Sequence, residues 1–172
     1  DDENMMVITD QTAGIDSVGT SMFCASEINL FVVEPTMKSV GIIKDFENVT
    51  KNYNLKNYVV INKALDESDV EFVKRELGEE KVIGVISYSS NIRKYEQGDK
   101  EKFNLFIEEN KEVFEKILNL VKNTKKDWKE YKERLYDIYK KNCETWYSEY
   151  YGVDLLRIYK QWIWLWKGYK GE

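Results

Sequence analysis

Four short apolar runs mark the first half of the chain: Met5–Thr9 (MMVIT), Ile28–Val33 (INLFVV), Asn57–Ile61 (NYVVI) and Lys81–Ile86 (KVIGVI). Each is rich in β-branched residues and nearly continuous in apolar character, the pattern of strands buried on both faces of a parallel sheet. Helical spacing fills the intervals. Thr36 caps a predicted helix over Met37 to Asn52 that turns Val40, Ile43 and Phe46 to one side. Ser68-Asp69-Val70-Glu71 reads as a capping box for a helix with Val70, Val73 and Leu77 inward, stopped by Gly78. Phe103, Phe106, Ile107, Phe114, Ile117, Leu118 and Val121 then predict one long closing helix over Lys100–Lys122. Alternating strands and helices at these intervals build βαβ units, so residues 1–122 are expected to form an α/β domain of three αβα layers around a mostly parallel sheet.

The pattern changes at residue 124. Beyond it lie all five tryptophans and 13 of the 24 aromatic residues, so residues 123–172 are set apart as an α-helical, aromatic-rich extension. Trp128, Tyr131, Leu135 and Ile138 continue the three–four spacing, either in one helix with the preceding segment or in a second helix after a break near Asn123-Thr124. A coiled-coil partner is one reading of that stripe, and folding back onto the sheet's flank is the favoured one. Val153–Trp166 carries a wide apolar arc with Lys160, Lys167 and Lys170 nearby. This composition suits a protein interface, a membrane interface or simple burial. Peripheral membrane contact is the less favoured of these, and a protein partner through residues 125–172 stays open.

Charge and cysteine usage narrow the chemistry. The 172 residues sum to a net charge of −5, which argues against a nucleic-acid binder. Histidine is absent and the two cysteines, Cys24 and Cys143, are far apart, which removes a zinc site and a histidine-based triad. Lone thiols suit a reducing compartment, and DDENMM has neither a basic nor an apolar leader region. A cytoplasmic location is therefore expected.

Three loops follow strands and carry polar groups. In Met5–Gly14 (MMVITDQTAG) an apolar run ends at Asp10, with Gly14 four residues on. An acid at the carboxyl end of a parallel strand stands over the crevice where such sheets bind ligands, and can hold a magnesium-bound water or simply cap the strand. In FVVEPT, Glu34, Pro35 and Thr36 close a strand and open a helix. In VVINK, Asn62 and Lys63 end a strand; the amide offers a donor and an acceptor that match an adenine edge, or it makes a turn.

In this order, ITDQTAGID, NLFVVEPTMKSV and YVVINK resemble the MinD/ParA-like ATPases of the P-loop NTPase class, nearest the branch with a D-x-x-A-G switch that includes the nickel-insertion accessory ATPases of carbon monoxide dehydrogenase. The resemblance covers about residues 5–122. It implies an ATP-binding domain in which Asp10 is the Walker B acid and magnesium-side carboxylate, and Ala13-Gly14 is the γ-phosphate switch. Glu34 and Pro35 would close the strand beside the nucleotide, Asn62 with Lys63 would face adenine, and Ser87 would stand where members usually have proline. ATP, Mg²⁺ and a homodimer through the nucleotide face are implied with it. The family opens about a hundred residues before the switch with a strand and a glycine-rich, lysine-bearing loop, and no Gly-Lys-Ser/Thr occurs here. In the family that strand lies between the Walker B strand and the FVVEP strand. The fold is therefore read as a truncated P-loop NTPase, an ATPase only if completed by a Walker A segment. The alternative is a non-catalytic interaction module that keeps the fold and docks a partner or membrane with its aromatic tail.

Overall fold

The computed structural model describes residues 6–11, 21–142, 150 and 152. The chain divides into two compact units, Asp1–Lys125 and Lys126–Glu172. The boundary falls within a few residues of the compositional break at 124.

In the first unit a 3-10 turn at Met22–Ala25 precedes β1 (Asn29–Val33), α1 (Met37–Thr50), β2 (Asn57–Ala64), α2 (Glu67–Leu77) and β3 (Val82–Ser87). Three further helices follow: α3 (Ser90–Glu96), α4 (Lys102–Glu109) and α5 (Lys111–Asn123). The strands form one parallel sheet in the order β1-β2-β3. The expected α/β class and parallel sheet are what the chain adopts.

Side chains alternate across a strand, and that alternation assigns the two faces of the sheet. Val33, Val59 and Ile61 share one buried cluster with Val40 and Ile43 of α1 and with Val70, Val73 and Leu77 of α2. Both crossover helices therefore cover the same face. Ile61 and Val73 are fully buried, and burial of each such side chain is worth about 1.5–3 kcal/mol. Lys44 of α1 pairs with Glu76 of α2 at 2.6 Å, and Lys81, just before β3, reaches both oxygens of Glu47 on α1 at 2.8 Å. The opposite face presents Leu30 and Val32 of β1, Val60 of β2 and Gly84 of β3, with Val32 beside Val60 and Val60 beside Gly84. Helix α5 covers the β3 end of this row: a Cβ built on Gly84 would lie 2.5 Å from Val113 Cγ1. These are the three layers, α1 and α2, the sheet, and α5.

Local chemistry sets the helix ends. Thr36 is extended and its side chain accepts from Ser39 N–H at 3.2 Å, so α1 begins where the sequence places it. Helix α2 begins two residues earlier than the capping-box reading, because Asp66 rather than Ser68 is the cap and accepts from the N–H groups of Ser68 and Asp69. Gly78, at φ 99°, ends it. The single helix expected over Lys100–Lys122 is instead α4 and α5. Asn110 sits between them in a non-helical conformation, and its amide donates to Phe106 O at 2.9 Å. A short polar side chain that bonds its own backbone competes with the helical ladder. Phe106 and Phe114 pack edge to face across the break, so the apolar stripe is continuous although the helix is not.

One predicted strand does not form. The described part of Met5–Thr9, residues 6–9, is irregular, as are residues 10 and 11, and Val7 and Ile8 are largely exposed. A strand needs a ladder partner, and none of the three strands pairs with this segment.

In the second unit, α6 spans Trp128–Asn142, and Asp127 accepts from the N–H groups of Lys129 and Glu130 at its start. Of the two alternatives, one continuous helix or a break near Asn123-Thr124, the break is present, and Thr124 closes α5 by donating its hydroxyl to Leu120 O. The stretch Val153–Trp166 lies outside the described residues. No helix among the described residues is long and apolar enough to cross a membrane.

Candidate functional site

Parallel pairing aligns the carboxyl ends of the strands. Val33 lies beside Ile61, Asn62 beside Ile86, and Ala64 beside Ser87. Glu34, Asn62, Lys63 and Ser87 therefore occupy one edge of the sheet, with Pro35 next to Glu34.

Lys63 is the unusual member of this edge. Its φ is +59°, left-handed for a residue with a Cβ, and the β2–β3 register shifts at this point, between Asn62 and Ala64. Side chains rarely adopt this conformation unless the surroundings impose it, and such positions cluster at functional sites. The shift expels Lys63 from the alternation and brings its Nζ within 2.5 Å of Glu34 Oε1. That hydrogen bond and the Glu34 charge raise the Lys63 pKa above its ordinary 10.5, with smaller contributions from Glu96 of α3 and from Tyr88. The edge thus carries one ammonium held by acids and exposed to solvent.

Asn62, one residue earlier, belongs by alternation to the face of Val60, away from the α1–α2 core. Its amide makes no side-chain hydrogen bond among the described residues and is half-buried. Both its donor and its acceptor are available to a ligand.

The loop after β3 is fastened at several points. Tyr88 N–H donates to Ala64 O at 2.9 Å, locking the loop to the end of β2. Ser89 donates from its hydroxyl to Glu109 Oε2 at 2.8 Å, and Asn91 donates from its amide to the other oxygen at 2.5 Å. Arg93 donates to the Tyr88 hydroxyl. Ser87 also lines an open hollow of about 420 Å³, together with Ala64, Leu65, Asp66, Val70 and Lys74.

Sequence reasoning did not single out Glu109 or Glu96. Glu109 lies 20 residues from Ser89, and no local pattern marks such a pairing. Of the remaining candidates, Asp10 is exposed in the irregular segment 6–11 instead of ending a strand, and Gly14 lies outside the described residues. Among the described residues no three Asp, Glu, Cys or His side chains gather to hold a metal.

An open parallel α/β sheet with polar groups along the carboxyl ends of its strands belongs to a class that binds ligands at that edge. Two curated relatives are similar to it in sequence over part of their length. Over 126 residues the chain is 34% identical to the uncharacterized ATP-binding protein MJ0823 of Methanocaldococcus jannaschii, covering 69% of this chain and 48% of that protein. Over 89 residues it is 28% identical to the uncharacterized ATP-binding protein MJ0084 of the same organism, covering 52% of this chain and 35% of that protein. The chain thus spans about half, or less, of the length of these relatives. No protein-family model matches it, and no solved structure does.

Proposed function

We propose that this chain is the base-binding and switch-bearing portion of a MinD/ParA-like ATP-binding domain. The observation that carries the reading is the alignment of Glu34, Asn62, Lys63 and Ser87 along one carboxyl edge of a parallel sheet. The names of the two relatives support it from the side of the ligand. Asn62 faces the adenine edge, Ser87 and the fastened loop after it border the base, and Lys63 sets the charge beside it. Asp10 and the Ala13-Gly14 switch serve magnesium and the γ-phosphate. In this reading ATP lies between two such domains, and hydrolysis by the completed domain releases a partner held in part by residues 125–172.

The sequence has no Gly-Lys-Ser/Thr loop, so the chain by itself lacks the lysine and the nest of N–H groups that hold the β- and γ-phosphates. Each charge-assisted hydrogen bond lost is worth about 1.5–3 kcal/mol, and about 1.4 kcal/mol is tenfold in affinity. A micromolar site becomes millimolar or weaker. The same absence favours the second reading, an interaction module that keeps the fold without the chemistry.

Titration of the chain with Mg-ATP, followed by amide NMR shifts, separates the two. Millimolar ATP should move the resonances of Glu34, Asn62, Lys63 and Ser87, and Asn62→Ala should abolish those shifts. Shifts scattered away from this edge, or none at all, would reject ATP binding and leave the interaction module. Micromolar affinity would reject the incomplete phosphate site.

A further inference from the structure

Residues 87–91 (SYSSN), which carry β3 into α3, include neither glycine nor proline. No residue there fixes its own φ, so the shape of the segment is set by bonds to other elements. Tyr88 N–H donates to Ala64 O at the end of β2. Ser89 accepts from Asn91 N–H at 3.2 Å as the cap of α3 and donates its hydroxyl to Glu109 Oε2 at 2.8 Å. Asn91 donates its amide to Glu109 Oε1 at 2.5 Å. The two oxygens of one carboxylate thus hold the two residues that turn the chain into α3. Bonds to an ionised acceptor are about twice as strong as neutral ones, and two in parallel fix a geometry.

The placement of Glu109 is not explained by its own helix. It is the last residue of α4, and an acid in the last turn runs against the helix dipole. Asn110 ends α4 there by donating its amide to Phe106 O. The helix break therefore decides where the Glu109 carboxylate stands, and it stands against Ser89 and Asn91. Glu109 is exposed whereas Ser89 and Asn91 are half-buried, so the carboxylate can be removed without opening the core.

We propose that Glu109 is a positioning residue for the ligand edge: through Ser89 and Asn91 it holds residues 87–91 in the shape that borders the ligand, and it touches no ligand itself. This role rests on the reading of the carboxyl edge as a base site, and adds to that site a residue that no strand end supplies. A segment ordered before the ligand arrives has less freedom to lose on binding. Without the carboxylate, Ser89 and Asn91 must be ordered by the ligand, at the expense of affinity.

The test uses the whole chain and adenosine. This probe is neutral, so loss of a negative charge does not change its affinity directly, and it needs no phosphate loop. Binding is followed by the amide NMR shifts of Asn62 and Ser87. Glu109→Ala should weaken adenosine by about threefold to tenfold and speed hydrogen exchange of the Tyr88 amide. The melting temperature should stay nearly unchanged, as for surface substitutions generally. Glu109→Asp keeps the charge but is one methylene short of spanning both donors, so it should behave as alanine does. Glu109→Gln keeps the length and should recover part of the affinity. Asn91→Ala should also weaken adenosine, and Glu109→Ala added to it should cost less than it does alone, because the two residues share a bond. Unchanged affinity in Glu109→Ala, full affinity in Glu109→Asp, or additive losses with Asn91→Ala would overturn the positioning role and leave the base site standing. Adenosine that moves no resonance of this edge in the unaltered chain would overturn the base site and the positioning role with it.

Discussion

Lys63 Nζ lies 2.5 Å from Glu34 Oε1 and ties the end of β2 to the end of β1. Both side chains are about half exposed, so solvent and salt weaken the pair. The Lys63 pKa is raised, with Glu34 the first cause. A raised folded-state value means that the stabilisation is fully present below the ordinary value of 10.5 and is lost as pH climbs through the raised one. Glu34→Gln should therefore lower the melting temperature slightly at pH 8, and the gap should close as pH rises through the raised Lys63 value. The direct readout is the Lys63 pKa by NMR, which should fall toward 10.5 in Glu34→Gln; an unchanged value would show that Glu34 is not the cause.

The backbone at Lys63 gives a second test. Lys63→Ala removes the ammonium and keeps a Cβ at φ +59°; Lys63→Gly removes the ammonium and the steric conflict together. Glycine should melt higher than alanine at this position, the reverse of the order expected inside a strand. Equal melting, or alanine melting higher, would mean that the left-handed geometry stores no strain.

Gly84 and Val113 should behave as a coupled pair. A Cβ at 84 meets Val113 Cγ1 at 2.5 Å, and Val113 is too short and stiff to swing away. Gly84→Ala should cost about 1–3 kcal/mol by overpacking. In the Val113→Ala background the same change should cost much less, a coupling of at least 0.5 kcal/mol of the kind expected for residues in contact. Additive costs measured by urea unfolding would place α5 elsewhere than over β3.

Asp66 caps α2, and its carboxylate is held below the ordinary range, first by the Ser68 hydroxyl and then by the N–H groups of Asp69 and Ser68. A depressed value reverses the sign: the stabilisation is present above the unfolded-state pKa and disappears as pH falls through the folded one. Asp66→Ala should lower the melting temperature by about a few degrees at pH 7, with the gap narrowing below pH 4. Asp66→Ser keeps a neutral cap and should show a smaller, pH-independent loss. A gap for Asp66→Ala that persists unchanged to pH 2 would remove the carboxylate from the capping role.

The apolar runs and helix spacing by themselves determined β1, β2, β3, α1 and α2, because a parallel sheet needs continuous β-branched strands and each crossover helix needs one apolar stripe. The same patterns placed Glu34, Asn62, Lys63 and Ser87 at strand ends, and parallel pairing then had to bring them to one edge. Three features were decided only by tertiary structure. MMVIT has the composition of a buried strand, but strand formation needs a neighbour's N–H and C=O groups, and no strand of this sheet pairs with it. The stripe from Phe103 to Val121 has one helical period throughout, yet Asn110 breaks the helix, because its side chain takes a backbone carbonyl while Phe106 and Phe114 keep the packing across the gap. The left-handed turn at Lys63 has no sequence signal, since lysine does not favour it. It arises where the β2–β3 register must slip by one residue to seat Ala64 against Ser87, and local propensity cannot report a demand made by a neighbouring strand.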